Sequence, residues 1–132
     1  MDNILKTGMH AKLEITVEER HTASALGSGG IDVLATPMMI ALMEGASMNA
    51  VQPALSEDES TVGTLVNISH TAATPVGMKA WATGRLIEID GKKLVFEVSA
   101  YDESGLIGEG IHERFIINID KFIKKVNSKT AD

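Results

Sequence analysis

At 132 residues, with 44% apolar and 23% charged side chains, the chain has the make-up of one soluble globular domain, large enough to close a hydrophobic core without staples. Its formal charge of −6 argues against a general nucleic-acid binder, which needs a net basic face. The absence of cysteine excludes disulfides, thiolate zinc sites and a cysteine nucleophile. The first ten residues lack the apolar core of a signal peptide, and no run approaches the ~20 apolar residues of a membrane span. A cytoplasmic location without a membrane partner is therefore expected.

Taken in chain order, residues 12–17 alternate Leu13, Ile15 and Val17 with Lys12, Glu14 and Thr16, the pattern of a half-buried strand. The loop that follows is most flexible at Gly27-Ser28-Gly29-Gly30. Thr36 and Pro37 predict a helix start, a hydroxyl able to cap followed by proline at the first helical position. From Met38 to Val51 only Glu44, Ser47 and Asn49 are polar, so this helix is read as buried on nearly every side, and Pro53 ends it. Glu57-Asp58-Glu59 reads as a solvated loop.

The remainder reads as a strand meander. Residues 62–72 alternate, placing Val62, Val66, Ile68 and His70 on one face, and residues 79–89 place Trp81, Thr83, Arg85, Ile87 and Ile89 together. Asp90-Gly91 signals a type I′ hairpin leading into Leu94, Phe96 and Val98. Asp102-Glu103-Ser104-Gly105 marks a second turn, before a long strand ending in Phe115-Ile116-Ile117. Residues 120–126 are expected to form a short amphipathic helix, and residues 1–9 and 127–132 to fray.

One strand, a long buried helix and four antiparallel strands predict an α+β domain spanning residues 1–132. The hot-dog arrangement, an antiparallel sheet wrapped around a central helix, fits this order. One sheet cannot cover such a helix on every side. A second copy of the chain is the simplest cover, so a homodimer is expected.

Three polar side chains lie in these apolar segments, where an unpaired polar group is costly: Thr36, Glu44 and His70. Threonine before proline at a helix start is a routine cap, and the cap reading predicts that Thr36→Ala costs about 1 kcal/mol. Such a position also sits beside the positive helix end, which suits a carbonyl or anionic oxygen. Glu44, two turns into an apolar helix, is paired, protonated through a raised pKa, or facing a cleft. His70 follows the inward face of its strand, where a lone histidine is more often a satisfied core residue than a catalyst. What distinguishes the three is coincidence, because the helix must pack on the face that carries His70. A Thr/Glu/His set can hold a nucleophile or water, orient a base and move a proton. No metal site is indicated, since His10, His21 and His112 are scattered and no histidine pair stands at i, i+4. Gly108 and Gly110 inside the last strand suggest a bulge or the close approach of a ligand, and nearby Arg114 can pair with a carboxylate or phosphate.

These segments resemble the fluoroacetyl-CoA thioesterase family of hot-dog proteins. The resemblance is carried by Ala35-Thr36 with Leu42-Met43-Glu44, by Ser69-His70-Thr71-Ala72-Ala73-Thr74-Pro75 with Gly77, and by Ile107-Gly108 with His112-Glu113-Arg114. It extends from the first strand to the region of Asp120-Lys121-Phe122, and the His-Thr-Ala-Ala-Thr-Pro string is its most specific part. It implies a homodimeric acyl-CoA thioesterase that needs no cofactor, with Thr36, Glu44 and His70 as the catalytic set. Gly63 and Arg114 would position the thioester or its carboxylate product, and Glu44 would act as general base or as nucleophile. The fluoroacetate-specific member closes its pocket with aromatic residues from the loop before the central helix, whereas residues 25–34 here contain none. The resemblance thus leaves the small acyl group open. A non-catalytic acyl-CoA-binding module is the alternative on the same fold, and a hydratase lacks its characteristic Asp/His segment.

Overall fold

The computed structural model describes residues 4–130. Five strands form, β1 (His10–Thr16), β2 (Glu59–His70), β3 (Lys79–Asp90), β4 (Lys93–Asp102) and β5 (Gly105–Asn118), with helices α1 (Ala23–Leu26), α2 (Thr36–Val51) and α3 (Ile119–Asn127). All the strand pairs are antiparallel, in the order β1-β3-β4-β5-β2. Helix α2 lies against β1 and β3, reaches β4 less, and barely touches β2. This is the expected hot-dog architecture.

The helix sits there because its apolar residues supply the required stripe. Met39, Leu42, Met43, Ala46, Ser47 and Ala50 recur at three- and four-residue spacing and are buried. Ser47 satisfies its hydroxyl within the helix by donating to the Met43 carbonyl at 2.8 Å. Gly84 on β3 lets the helix backbone approach, since a Cβ there would stand 2.8 Å from the Ser47 nitrogen. Facing this stripe are Ala80, Ala82, Leu86, Leu94, Phe96 and Val98, all fully buried. A single copy covers only that stripe. Pro37, Ala41 and Asn49 remain exposed on the far side of α2, where burial on nearly every side was expected.

Two strands depart from strict alternation, and the departures decide which side chains reach the inner face. In β2, Gly63 pairs with Arg114 but Leu65 pairs with Glu113, so Thr64 is an extra residue. Thr61 and Gly63 therefore point inward before the bulge, and Val66, Ile68 and His70 after it. Val62, expected beside His70, pairs with Phe115 on the outer face. In β3 a second bulge at Ile87, between Leu86 and Glu88, returns Ile89 to the inner side opposite Leu94. Trp81, Thr83 and Arg85 share one face as expected, the outer one, and Ile89 leaves it.

The β3–β4 hairpin closes with Asp90 paired to Lys93. Its loop is Gly91-Lys92, with φ +61° at Gly91 and no positive φ at Lys92, so it is not the expected type I′ turn, which requires both. Pairing begins before β1, where Gly8 N–H donates to the Leu86 carbonyl and Leu86 N–H to the Met9 carbonyl, each at 2.8 Å. At the far end α3 runs to Asn127, and residues 1–3 and 131–132 of the expected frayed tails lie outside the described residues. Among the described residues no helix is long and apolar enough to cross a membrane.

Candidate active site

Thr36 opens α2, but Ala35 is the cap position and no side-chain cap hydrogen bond forms. The Thr36 hydroxyl is engaged elsewhere, its Oγ1 lying 2.7 Å from Nδ1 of His70 across the start of the helix and the end of β2. The capping role expected from the Thr-Pro pair is therefore not used. Burial holds the His70 imidazole below the ordinary histidine range, with the Ala72 backbone acting in the opposite sense. Its other nitrogen, Nε2, is buried and has no hydrogen-bond partner among the described residues. Such an orphan is a costly arrangement in a finished core and a natural one in a site awaiting a second group.

The string after His70 explains how this corner is built. Thr71 and Ala72 N–H groups both donate to the Ile107 carbonyl, at 2.7 and 3.3 Å, where a bulge in β5 turns it outward. Thr74 is fully buried and donates from Oγ1 to Asp102 Oδ2 at 2.8 Å. Its own carbonyl accepts from Leu34 N–H at 2.9 Å, and Pro75 bridges Val33. The His-Thr-Ala-Ala-Thr-Pro run thus anchors the loop before α2 over the His70 ring. The loop itself holds one turn of helix, α1, capped by Thr22 and ended by Gly27 at φ +73°. Between them lies an open cavity of about 310 Å³ lined by Thr36, His70, Val33, Leu34, Ala72 and Ala73 among others, with no Phe, Tyr or Trp.

A second centre forms further along α2. Glu44 is half-buried and meets β2 at Gly63, where a Cβ would stand 3.0 Å from Glu44 Oε2, 3.1 Å from His112 Cε1 and 3.5 Å from Arg114 Nη1. Gly63 is thus the gap that lets a carboxylate reach the sheet. Arg114, 6% exposed, is anchored through Nε to Thr61 Oγ1 at 2.7 Å and through Nη2 to the Thr61 carbonyl at 2.8 Å. Burial lowers the Arg114 pKa, with the Glu44 charge opposing, and the guanidinium stays charged. His112 touches the same group, and nothing in its scattered position in the sequence pointed there; its i, i+2 spacing to Arg114 within one strand was the available signal. The glycine pair of β5 lies just after a bulge at Ile107, and Gly108 is closely approached by Met39 of α2 and the Ser69 carbonyl.

Within one chain the two centres do not meet. Thr36 and Glu44 are eight residues apart on α2, a rise of about 12 Å. Along β2, Gly63 and His70 stand about 20 Å apart once the bulged residue is discounted. Thr36 and His70 are brought together, and so are Glu44, Gly63 and Arg114, but one copy does not join the two groups.

Residues 17–120 match the family described as fluoroacetyl-CoA-specific thioesterase. The fluoroacetyl-CoA thioesterase of Streptantibioticus cattleyicolor is 42% identical over 99 residues, covering 75% of this chain and 71% of that protein. A solved structure of a fluoroacetyl-CoA thioesterase superposes with a TM-score of 0.89 at 34% identity, over 96% of this chain and 98% of that one. A thioesterase superfamily member from Thermus thermophilus superposes with a TM-score of 0.87 at 30% identity, over 98% and 96% of the two chains. The hot-dog fold, the Thr36–His70 pair and the Glu44–Gly63–Arg114 group come with a match over most of the chain, and the protein belongs to the fluoroacetyl-CoA-specific thioesterase family as a thioester hydrolase.

Proposed function

We propose that this chain works as a homodimer that hydrolyses a small acyl-CoA to the free acid and CoA, with Thr36, Glu44 and His70 as the catalytic set and Gly63 and Arg114 binding the thioester. The observation that carries the reading is the His70 ring, hydrogen-bonded to Thr36 on one nitrogen and buried without a partner on the other. If Thr36 donates to Nδ1, the proton sits on Nε2 and needs an acceptor. The carboxylate of Glu44 from a second copy is the fitting group, because the same chain's Glu44 is too far along the helix.

The edge strand supports that assembly. β2 is 12 residues long, is paired only to β5, and is exposed from Gly63 to Asn67, including Leu65 at 43% and Val66 at 42%. A long exposed edge of this kind invites pairing with another strand. A two-fold axis near the middle of the exposed stretch would bring Gly63 and Glu44 of one copy toward His70 and Thr36 of the other. It would also cover the outward side of α2. In the resulting site the Thr36 hydroxyl holds the His70 ring while the helix N-terminus beside it orients the thioester carbonyl, Glu44 supplies the base on water or the nucleophile, and His70 returns a proton to the departing thiolate. The balance is thioester plus water giving carboxylic acid plus thiol. Among substrates, two of the relatives named above are fluoroacetyl-CoA thioesterases; the lining here, small side chains without Phe, Tyr or Trp, suits small acyl groups, that one among them.

Thiol release across short, branched, aromatic and halogenated acyl-CoAs tests the reaction. Turnover of none of them by the wild-type protein refutes it. Complementation tests the shared site. Glu44→Gln and His70→Ala should each be inactive alone, and mixing them with subunit exchange should restore roughly a quarter of wild-type activity, since half of random dimers carry one intact site of two. No recovery despite verified exchange rules out a site built from two copies. Single turnover in heavy-oxygen water, followed by mass analysis of Glu44, separates base from nucleophile.

A further inference from the structure

His112 is among the most buried polar residues of the chain, 1% exposed, and no catalytic step above uses it. Its two nitrogens face partners of opposite kinds. Nδ1 lies 2.8 Å from the Leu65 carbonyl, which can only accept, so Nδ1 must carry the proton. Nε2 lies 3.1 Å from Arg114 Nη1, which can only donate, so Nε2 must be bare. The two contacts together define one neutral tautomer. The Leu65 carbonyl is available for this because the bulge at Thr64 breaks the regular ladder next to it.

The consequence falls on Arg114. Of its five N–H groups one is taken by Thr61 Oγ1, one by the Thr61 carbonyl and one by His112, leaving one on each terminal nitrogen. Three fixed bonds in the plane of a guanidinium leave it no freedom to turn. Nη1 then stands against the Gly63 gap that Glu44 also enters.

We propose that His112 is a positioning residue of the thioesterase site, whose neutral Nδ1–H ring locks the Arg114 guanidinium so that the remaining Nη1–H is presented to Gly63, Glu44 and the reacting thioester. It acts only through Arg114. This rests on the hydrolase reading above, but part of its test does not. Burial, the largest influence on the ring's charge, and Arg114 disfavour the imidazolium, against the Leu65 carbonyl, Glu44 from α2 and Glu113 beside it on β5, which favour it. An imidazolium here would put a positive charge and a surplus proton against the guanidinium, and would undo the lock.

Nitrogen-detected NMR of the full-length wild-type protein at neutral pH should show His112 as the neutral Nδ1–H form. The Nε2–H tautomer or an imidazolium overturns the proposal whatever the enzyme's activity. In kinetics, His112→Phe keeps a ring without an acceptor and should lower kcat by roughly tenfold to a hundredfold, as expected for a displaced catalytic contact, with KM changed much less. His112→Gln, which returns an acceptor oxygen near Nε2, should recover most of the lost kcat. A purely structural role predicts instead that kcat per folded enzyme is unchanged in both variants while melting temperature falls, and that outcome overturns the proposal. Should His112→Phe fail to fold, Thr61→Val releases the same guanidinium from its other side and should show the same kcat-selective loss; unchanged kcat there is equally contrary. Absence of turnover in the wild type would refute the hydrolase reading while leaving the tautomer result to decide the lock.

Discussion

Gly63→Ala places one carbon where the structure has room for none. The new Cβ would stand 3.0 Å from Glu44 Oε2 and 3.1 Å from His112 Cε1, against an ordinary carbon contact of about 3.5–4.0 Å. The two neighbours differ in how they can respond. His112 is held by hydrogen bonds at both nitrogens and is buried, whereas the Glu44 carboxylate ends a flexible, half-buried side chain. Glu44 therefore moves and His112 stays. Overpacking of this kind costs about 1–3 kcal/mol, toward the low end where a flexible group can yield. Gly63 does not have a positive φ, so alanine fits the backbone and recovers about 0.4–1 kcal/mol through the unfolded chain. The net loss is about 1 kcal/mol or less, a fall in melting temperature of about 4 °C or less for a domain of this size. Activity should suffer far more, because displacing the carboxylate by a few tenths of an ångström to 1 Å costs up to about a hundredfold in rate. Thiol release and a thermal melt on one preparation measure both. A variant that keeps wild-type kcat would show that the Glu44 carboxylate does no chemistry at the Gly63 gap.

Thr36→Ala should lower activity strongly while shifting the melting temperature little, because the hydroxyl caps nothing and bonds only to His70; Thr36→Ser should retain activity. A stability loss of about 1 kcal/mol or more in Thr36→Ala would reinstate the capping role. Burial holds His70 and His112 below the ordinary histidine value of 6.5, so the unfolded chain takes up protons before the folded one does. Stability linked to these rings is complete above 6.5 and is lost as pH falls below it, and a melting temperature followed from about pH 7.5 down to about 5 should decline, less steeply in His70→Ala. An identical slope in that variant would remove His70 from the account. Size exclusion with light scattering should find a dimer, and Val66→Glu on the exposed edge of β2 should weaken it together with activity. A monomer with full activity would defeat the shared site.

Element order and type were readable from local pattern. Alternation in β1, the nearly unbroken apolar run of α2, and the turn residues at Gly91 and Gly105 each act within a few residues of themselves, which is the range over which period and backbone preference operate. So was the special character of Thr36, Glu44 and His70, because polar groups in apolar segments stand out without any structure. The bulges were not readable. An extra residue at Thr64 leaves no mark in composition, yet it reverses the parity of β2 and is the reason Gly63 and His70, seven positions apart, share the inner face.

Partnership was also beyond local pattern. A Thr-Pro pair at a helix start reads as a cap, and only the arrival of His70 from the end of β2 shows the hydroxyl committed elsewhere. Spacing within β5 places His112 on the same face as Arg114, but only the fold brings the Leu65 carbonyl to its other nitrogen. The chain by itself determined the hot-dog order and which polar groups to suspect, since those follow from the period and chemistry of neighbouring residues. Tertiary structure alone decided that these groups stand in two centres, one around His70 and one around Glu44, because distances across a sheet and along a helix are set by packing and register between segments far apart in sequence.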